Sequence, residues 1–258
     1  MTAGTAGSIW GNAAFEQLAD GAAATHDALV TALGIVAGTR VLDVATGTGA
    51  VARRAAERGA LVTAVDIAAN LVERARGAAI DAGLSIDFRV ADAERLPFES
   101  ASFDAVASAQ GVVFATNREA VARELTRVCR PGGVLGLTCP VAAGFALELA
   151  RILASFRPGV WLGPFAWGDE SEVRRLLGRD FELEVEELAA PFRVPTPTEG
   201  WRVYRESFGP LAGVLDSLAP AGSAELRARV IELLHRYVTP EGVVAPRPLL
   251  LVVGRRRG

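Results

Sequence analysis

The stretch Arg40-Val41-Leu42-Asp43-Val44-Ala45-Thr46-Gly47-Thr48-Gly49 decides how the chain is read. Val41, Leu42 and Val44 are β-formers in a short apolar run, and Asp43 is the one acid inside it. Gly47 and Gly49 then open a turn, and Ala50 to Arg58 reads as a helix. Strand, glycine turn and helix in that order let the backbone approach a ligand closely. They also aim the free N–H groups of a helix start at it. A second apolar run, Leu61 to Val65, ends in Asp66. That acid comes about 20 residues beyond the turn, where a nucleotide-binding fold places the carboxylate for a ribose diol.

Two ligand classes fit a glycine turn followed by such an acid. Gly47-Thr48-Gly49-Ala50-Val51-Ala52 satisfies the dinucleotide pattern G-x-G-x-x-G/A. Asp43 argues against a dinucleotide, because a carboxylate at the end of the first strand repels a pyrophosphate. It suits a ligand bearing a sulfonium and an ammonium group. Val41 to Gly49 resembles the first motif of the class I S-adenosylmethionine-dependent methyltransferases. The nearer likeness is to their small-molecule branch, methyltransferase type 11, which includes the ubiquinone/menaquinone-biosynthesis enzymes. Ala91-Asp92-Ala93-Glu94-Arg95-Leu96-Pro97-Phe98 with Ser102-Phe103-Asp104-Ala105-Val106 is similar to the next motif, and Arg130-Pro131-Gly132-Gly133-Val134-Leu135 to the one after.

The resemblance implies an α/β fold: a Rossmann-like, doubly wound seven-stranded sheet, mostly parallel with an antiparallel last strand, carrying N-terminal helices and a helical cap insertion. It implies S-adenosylmethionine as cofactor and S-adenosylhomocysteine as product. By the family's pattern, Asp43, Ala45, Thr46, Gly47 and Gly49 approach the methionine part. Asp66 holds the ribose hydroxyls with Ile67 beside the adenine, and Asp92 with Ala93 meets the adenine amino group. Asp66 reads alternatively as a cap for the helix that follows it. Its removal is expected to cost cofactor affinity and to leave the melting temperature of the ligand-free protein almost unchanged. Gln110, at the end of the fourth strand, faces the methionine end or an acceptor.

The pattern along the chain agrees with a parallel α/β core. Strands are expected at Val41–Ala45, Leu61–Val65, Ile86–Val90, Asp104–Ala109 and Val134–Thr138, alternating with helices Ala50–Arg58, Ala68–Ala82 and Arg118–Cys129. After Pro140 the alternation fails. Helices are expected at Phe145–Phe156, Glu170–Leu177, Trp201–Leu218 and Ala224–Val238, a half-buried strand at Phe181–Glu187, a linker at Pro191–Pro197 and a final strand at Leu249–Val253. One methyltransferase domain over 1–258 follows. Its parts are an N-terminal helical segment 8–36, a cofactor core 40–139, a cap 140–247 interleaved with strand 181–187, and the last strand 248–254. The N-terminal segment contains helices Ile9–Leu18 and Ala24–Leu33.

Composition bounds the rest. The 258 residues are 50% hydrophobic and carry a net charge of −3, which leaves no electrostatic footprint for nucleic acid. All the basic residues are arginine. Cys129 and Cys139 form no disulfide framework and read as packing residues. Met1 to Ser8 lacks a basic and an apolar region, so no signal peptide is expected. The longest apolar stretch, Val134 to Ala150, is broken by Pro140 and Glu148. A cytoplasmic protein without membrane or nucleic-acid partners is the expectation.

Methyl transfer asks little of side chains, since it is an in-line displacement favoured by alignment and exclusion of water. His26 is the one candidate base, and two distant histidines with two lone cysteines give no metal-ligand spacing. Trp10, Phe15, Phe114, Trp161 and Phe165 are the candidate acceptor-binding residues, and they imply a small apolar or aromatic acceptor. The competing functions are a nucleic-acid or protein methyltransferase and an NAD-dependent oxidoreductase. Ser108-Ala109-Gln110-Gly111 lacks the Asn/Asp-Pro-Pro-aromatic motif that base-modifying relatives carry at that place.

Overall fold

The computed structural model describes residues 22–158 and 163–258. The first helix expected from sequence, with Trp10 and Phe15, and also Trp161 lie outside those residues. The chain begins with helix α1 (Ala23–Ala32) and alternates through β1 (Arg40–Val44), α2 (Ala50–Glu57), β2 (Leu61–Asp66), α3 (Ala69–Asp81), β3 (Ile86–Val90), β4 (Phe103–Ala109), α4 (Arg118–Val128) and β5 (Cys129–Pro140). Then come α5 (Gly144–Phe156), α6 (Glu170–Leu177), β6 (Phe181–Ala189), β7 (Phe192–Val194), α7 (Pro197–Ser207), α8 (Gly209–Leu215), α9 (Pro220–His235), β8 (Val238–Thr239), β9 (Gly242–Ala245) and β10 (Pro248–Arg256).

Seven strands make one sheet in the order β3-β2-β1-β4-β5-β10-β6. The pairs among β1 to β5 are parallel, and β10 runs antiparallel to both β5 and β6. β1 sits at the centre because Val41, Leu42 and Val44 can be buried on both faces, as central parallel strands require. The period of two divides its side chains. Val41 joins Leu29, Val30, Val51, Ala52 and Val72 from α1, α2 and α3, whereas Leu42 and Val44 join Val121, Leu125, Val173 and Leu177 from α4 and α6. The outer edge strand β6 exposes Glu182, Glu184 and Glu186 on alternate positions, which keeps that edge from pairing with another chain.

The stretch after Pro140 divides between two bodies. Val173 and Leu177, one turn apart on α6, pack on the sheet with α4, and β6 completes the sheet's edge. Helices α5, α7, α8 and α9 instead enclose a core of their own, with Phe145, Leu149, Trp201, Tyr204, Leu211, Leu226 and Leu234. The segment expected as a linker, Pro191–Pro197, contains β7, which pairs with β9 in a small antiparallel sheet β7-β9-β8. The helix expected over Trp201–Leu218 is two helices. Pro210 has no N–H to donate to the Glu206 carbonyl and its ring would meet that carbonyl, so α7 cannot run through it; Phe208 is extended, ending α7 and starting α8. Thr196 caps α7 by accepting the Glu199 N–H at 3.1 Å, with Pro197 at the first turn.

At the amino ends of the strands, Asp104 ties β4 to its neighbours. Its Oδ2 accepts the Arg40 N–H at 2.8 Å and Nε–H at 3.1 Å, and its Oδ1 accepts Arg130 Nε–H at 2.6 Å. Arg40 and then Arg130 hold this carboxyl well below the usual carboxylate range. A depressed carboxyl contributes stability above its unfolded value near 4, and that contribution is lost as pH falls toward the folded value. Asp104→Asn is therefore expected to lower the melting temperature by about 2–4 °C at pH 7, a modest effect because both arginines are about half exposed. Parallel melts at pH 7 and pH 3 check this, since the difference shrinks in acid.

Candidate functional site

A cavity of about 540 Å³ opens at the carboxyl ends of the parallel strands. Its floor is set by strand ends and the loops after them: Asp43 on β1, Asp66 ending β2 with Ile67 after it, Asp92 and Ala93 after β3, and Gln110 and Gly111 after β4. Its other wall comes from the cap and the entry to β10, including Leu149, Leu153, Tyr204, Phe208 and Arg247.

Asp43 is buried at 1% exposure, and a single oxygen organises the turn above it. Oδ2 accepts the Thr46 hydroxyl at 2.6 Å and the Ala52 N–H at 3.0 Å, so one carboxylate joins strand, turn and the first turn of α2. Burial raises its pKa to about 7. The Thr46 and Ala52 hydrogen bonds oppose the shift, and the Asp66 charge adds to it. Asp66 is held as firmly. Oδ2 accepts the Gly47 N–H at 2.8 Å and Oδ1 accepts the Ala68 N–H at 3.0 Å. Burial raises its pKa as well, against those backbone bonds.

Asp92 shapes the third strand's loop, with Oδ1 accepting the Glu94 N–H at 2.9 Å. Glu94 in turn accepts N–H bonds from Thr116 at 2.8 Å and Asn117 at 2.9 Å, which links this loop to the one after β4. Ala45 and Gln110 both have left-handed backbones, φ 57° and 55°, at the ends of the two central strands. Non-glycine residues held there store strain, and both line the cavity. The chain after β4 passes close to Ala45 only because position 111 is glycine. A Cβ on Gly111 would stand 2.4 Å from the Ala45 Cβ.

The structure gathers Asp43, Ala45, Thr46, Gly47, Asp66, Ile67, Asp92, Ala93, Gln110, His26, Phe114 and Phe165 around this one cavity. Gly49 is set back from it. Its φ of 80° starts α2, and an added Cβ would meet the Ala75 Cβ at 3.2 Å, so its smallness serves the packing of α2 on α3. His26, on α1, is 6% exposed, and its Nδ1 has no hydrogen-bond partner among the described residues. Burial and then the Arg54 charge bring its pKa down to about 4, so it is neutral at pH 7.

Sequence reading does not single out Tyr204, Phe208 and Arg247. Tyr204 and Phe208 lie one helical turn apart, a spacing the chain also uses for core residues, and Arg247 is one of many arginines. Among the described residues no group of three His, Cys, Asp or Glu could hold a metal ion, and no helix is long and apolar enough to cross a membrane.

Known proteins are similar to this chain in the same region and beyond it. A methyltransferase-domain family model matches residues 42–137. The uncharacterized protein Rv1405c of Mycobacterium tuberculosis is 36% identical over 238 residues, which cover 88% of this chain and 85% of that protein. The ubiquinone/menaquinone biosynthesis C-methyltransferase UbiE of Bordetella parapertussis is 34% identical over 151 residues, 54% of this chain and 55% of the enzyme. Among solved structures, phosphoethanolamine N-methyltransferase 2 of Haemonchus contortus, in complex with S-adenosylhomocysteine, superposes with a TM-score of 0.61. It is 20% identical and covers 91% of this chain and 52% of that one.

A buried acid whose pKa is raised stabilises the fold below its unfolded value and loses that contribution as pH rises through the folded value. For Asp43 the window runs from about 4 to about 7. His26 acts in the opposite sense over part of this range, so the comparison must be with a variant. Asp43→Asn in the ligand-free protein is expected to gain about 2–3 kcal/mol on the unaltered chain between pH 5 and pH 8. Urea denaturation of both at the two pH values measures it.

Proposed function

The chain belongs to the class I S-adenosylmethionine-dependent methyltransferases, and we propose that it methylates a small organic acceptor with an apolar or aromatic body. One observation carries this reading. A single cavity has buried or half-buried acids on three successive strand ends along one side, and apolar cap side chains along the other.

The acid side suits the cofactor by its chemistry. Asp43 is buried, which raises its pKa, and among the described residues no cation stands beside it, so a positively charged ligand group nearby would relieve a desolvated carboxylate. Asp66 keeps acceptor capacity beyond its bonds from backbone N–H groups, and this would serve the ribose hydroxyls. Asp92, with Ala93 at its side, would accept from the adenine amino group, and Ile67 would pack on the ring. Gly47, Thr46, Ala45 and Gln110 would border the methionine end. When bound, the cofactor supplies an electrophilic methyl group on sulfur and leaves as the thioether S-adenosylhomocysteine. The residues of the chain align the acceptor behind that methyl and keep water out. His26 lines the cavity and is neutral at pH 7, and it would take a proton if the acceptor must lose one.

The cofactor half has a direct test. S-adenosylhomocysteine is expected to bind in calorimetry and NAD to give no heat. Asp66→Ala is expected to weaken S-adenosylhomocysteine more than tenfold, an energy of about 1.5–3 kcal/mol. It also lowers the melting temperature of the ligand-free protein, contrary to the sequence expectation, because the Gly47 and Ala68 N–H groups lose their acceptor. Unchanged affinity would leave the carboxylate only its role in the loop.

The acceptor half is tested through Phe165. Once a library screen has found a substrate, Phe165→Ala is expected to cut kcat/KM at least tenfold while the Kd for S-adenosylhomocysteine stays within about twofold. Equal losses in both would assign this ring to the cofactor instead.

A further inference from the structure

Arg247 occupies an unusual place in the cavity wall. It lies between Pro246 and Pro248 at the entry to β10. Because β10 runs against the parallel strands, its first residues stand level with the last residues of its neighbours: Pro248 pairs with Ala189, and Leu249 with Pro140. Three strand spacings, β1 to β4 to β5 to β10, separate it from the strand of Asp43, or about 14 Å. The guanidinium therefore belongs to the half of the cavity opposite Asp43, Asp66 and Asp92.

Among the described residues its Nη2 has no hydrogen bond, and Nη1 keeps one of its two protons. Nε donates to the Ala190 carbonyl at 3.1 Å, Nη1 reaches the Tyr204 hydroxyl at 3.4 Å, and the guanidinium lies 5.6 Å from the centre of the Phe192 ring. Among the described residues no carboxylate forms an ion pair with it. The Tyr204 hydroxyl accepts from Arg247, which leaves its own proton to donate. A charged fork and a hydroxyl donor thus converge beside Leu149, Leu153 and Phe208, in a compartment otherwise apolar.

We propose that the acceptor carries a single carboxylate, held by the Nη1–Nη2 edge of Arg247 and the O–H of Tyr204, with its apolar body against Leu149, Leu153 and Phe208. A planar fork matches a planar carboxylate in two parallel hydrogen bonds. One cation offsets one charge, and a phosphate dianion would leave a second charge among apolar side chains. This inference rests on the methyl-transfer reading and narrows its substrate class.

Matched pairs test it: 3-phenylpropanoate, octanoate and decanoate, each against its primary amide. Each is titrated by calorimetry into the full chain saturated with S-adenosylhomocysteine. At least one acid is expected to bind tenfold or more tighter than its amide. Arg247→Met abolishes that preference and Arg247→Lys keeps part of it, with the Kd for S-adenosylhomocysteine within twofold of the unaltered chain. Since Arg247 also bonds to Ala190, a melt accompanies each variant. If Arg247→Met does not fold, Tyr204→Phe carries the comparison and is expected to lose at least threefold of the preference. The proposal is overturned if no pair favours the acid, or if the preference survives in the folded variants. It is also overturned if Arg247→Met weakens S-adenosylhomocysteine more than tenfold with the preference intact, since Arg247 would then serve the cofactor. Failure of the unaltered chain to bind S-adenosylhomocysteine would remove the methyl-transfer reading itself.

Discussion

One carboxylate oxygen fixes the geometry on which the cavity depends. Asp43 Oδ2, out of contact with water, accepts both the Thr46 hydroxyl and the Ala52 N–H. A buried acceptor left unpaired is costly, so the turn from Thr46 to Gly49 closes around it. That closure delivers the Gly47 N–H to Asp66 and places Ala45 in a left-handed conformation against Gly111. Two adjacent strand ends and their acids are thereby positioned by one group. The raised pKa of Asp43 follows from the same burial, and it marks a site suited to positive charge.

The two halves of the cavity are built differently. On the acid side the polar groups are strand-end side chains fixed by backbone N–H bonds, and they stand on the most regular part of the molecule. On the other side the wall is made of helix faces and the Pro246–Pro248 entry to β10, whose polar members, Tyr204 and Arg247, bond mainly to each other and to one carbonyl. A rigid polar rim and an apolar compartment with one cation are suited to an invariant cofactor and a particular acceptor respectively.

Much of the first half is legible in the sequence because its chemistry is local. Asp43, Gly47 and Asp66 stand at strand ends, where alternation of strand and helix locates them without knowledge of the fold's far side. The cap resists the same treatment. Pro191–Pro197 looks like a linker because prolines bound it, yet Phe192–Val194 finds a partner about 50 residues on in β9, a pairing no local signal announces. Trp201–Leu218 keeps helical periodicity across Pro210, where chain stereochemistry breaks it. Arg247 is concealed by abundance. In a chain whose every Lys or Arg position is arginine, only its place in the cavity wall distinguishes it, and that is a property of three dimensions.

The separate packing of the cap bears on how such a chain changes over generations. Leu149 and Leu153 belong to a cluster that shares no buried residue with either face of the sheet. Substitutions in groups of side chains without common neighbours act almost additively on stability. A replacement that reshapes the cap's side of the cavity thus draws on the cap's own stability and leaves the acids over β1, β2 and β3 in register. The shape of that side can therefore change through sequences that all still fold and keep the acid side of the cavity intact.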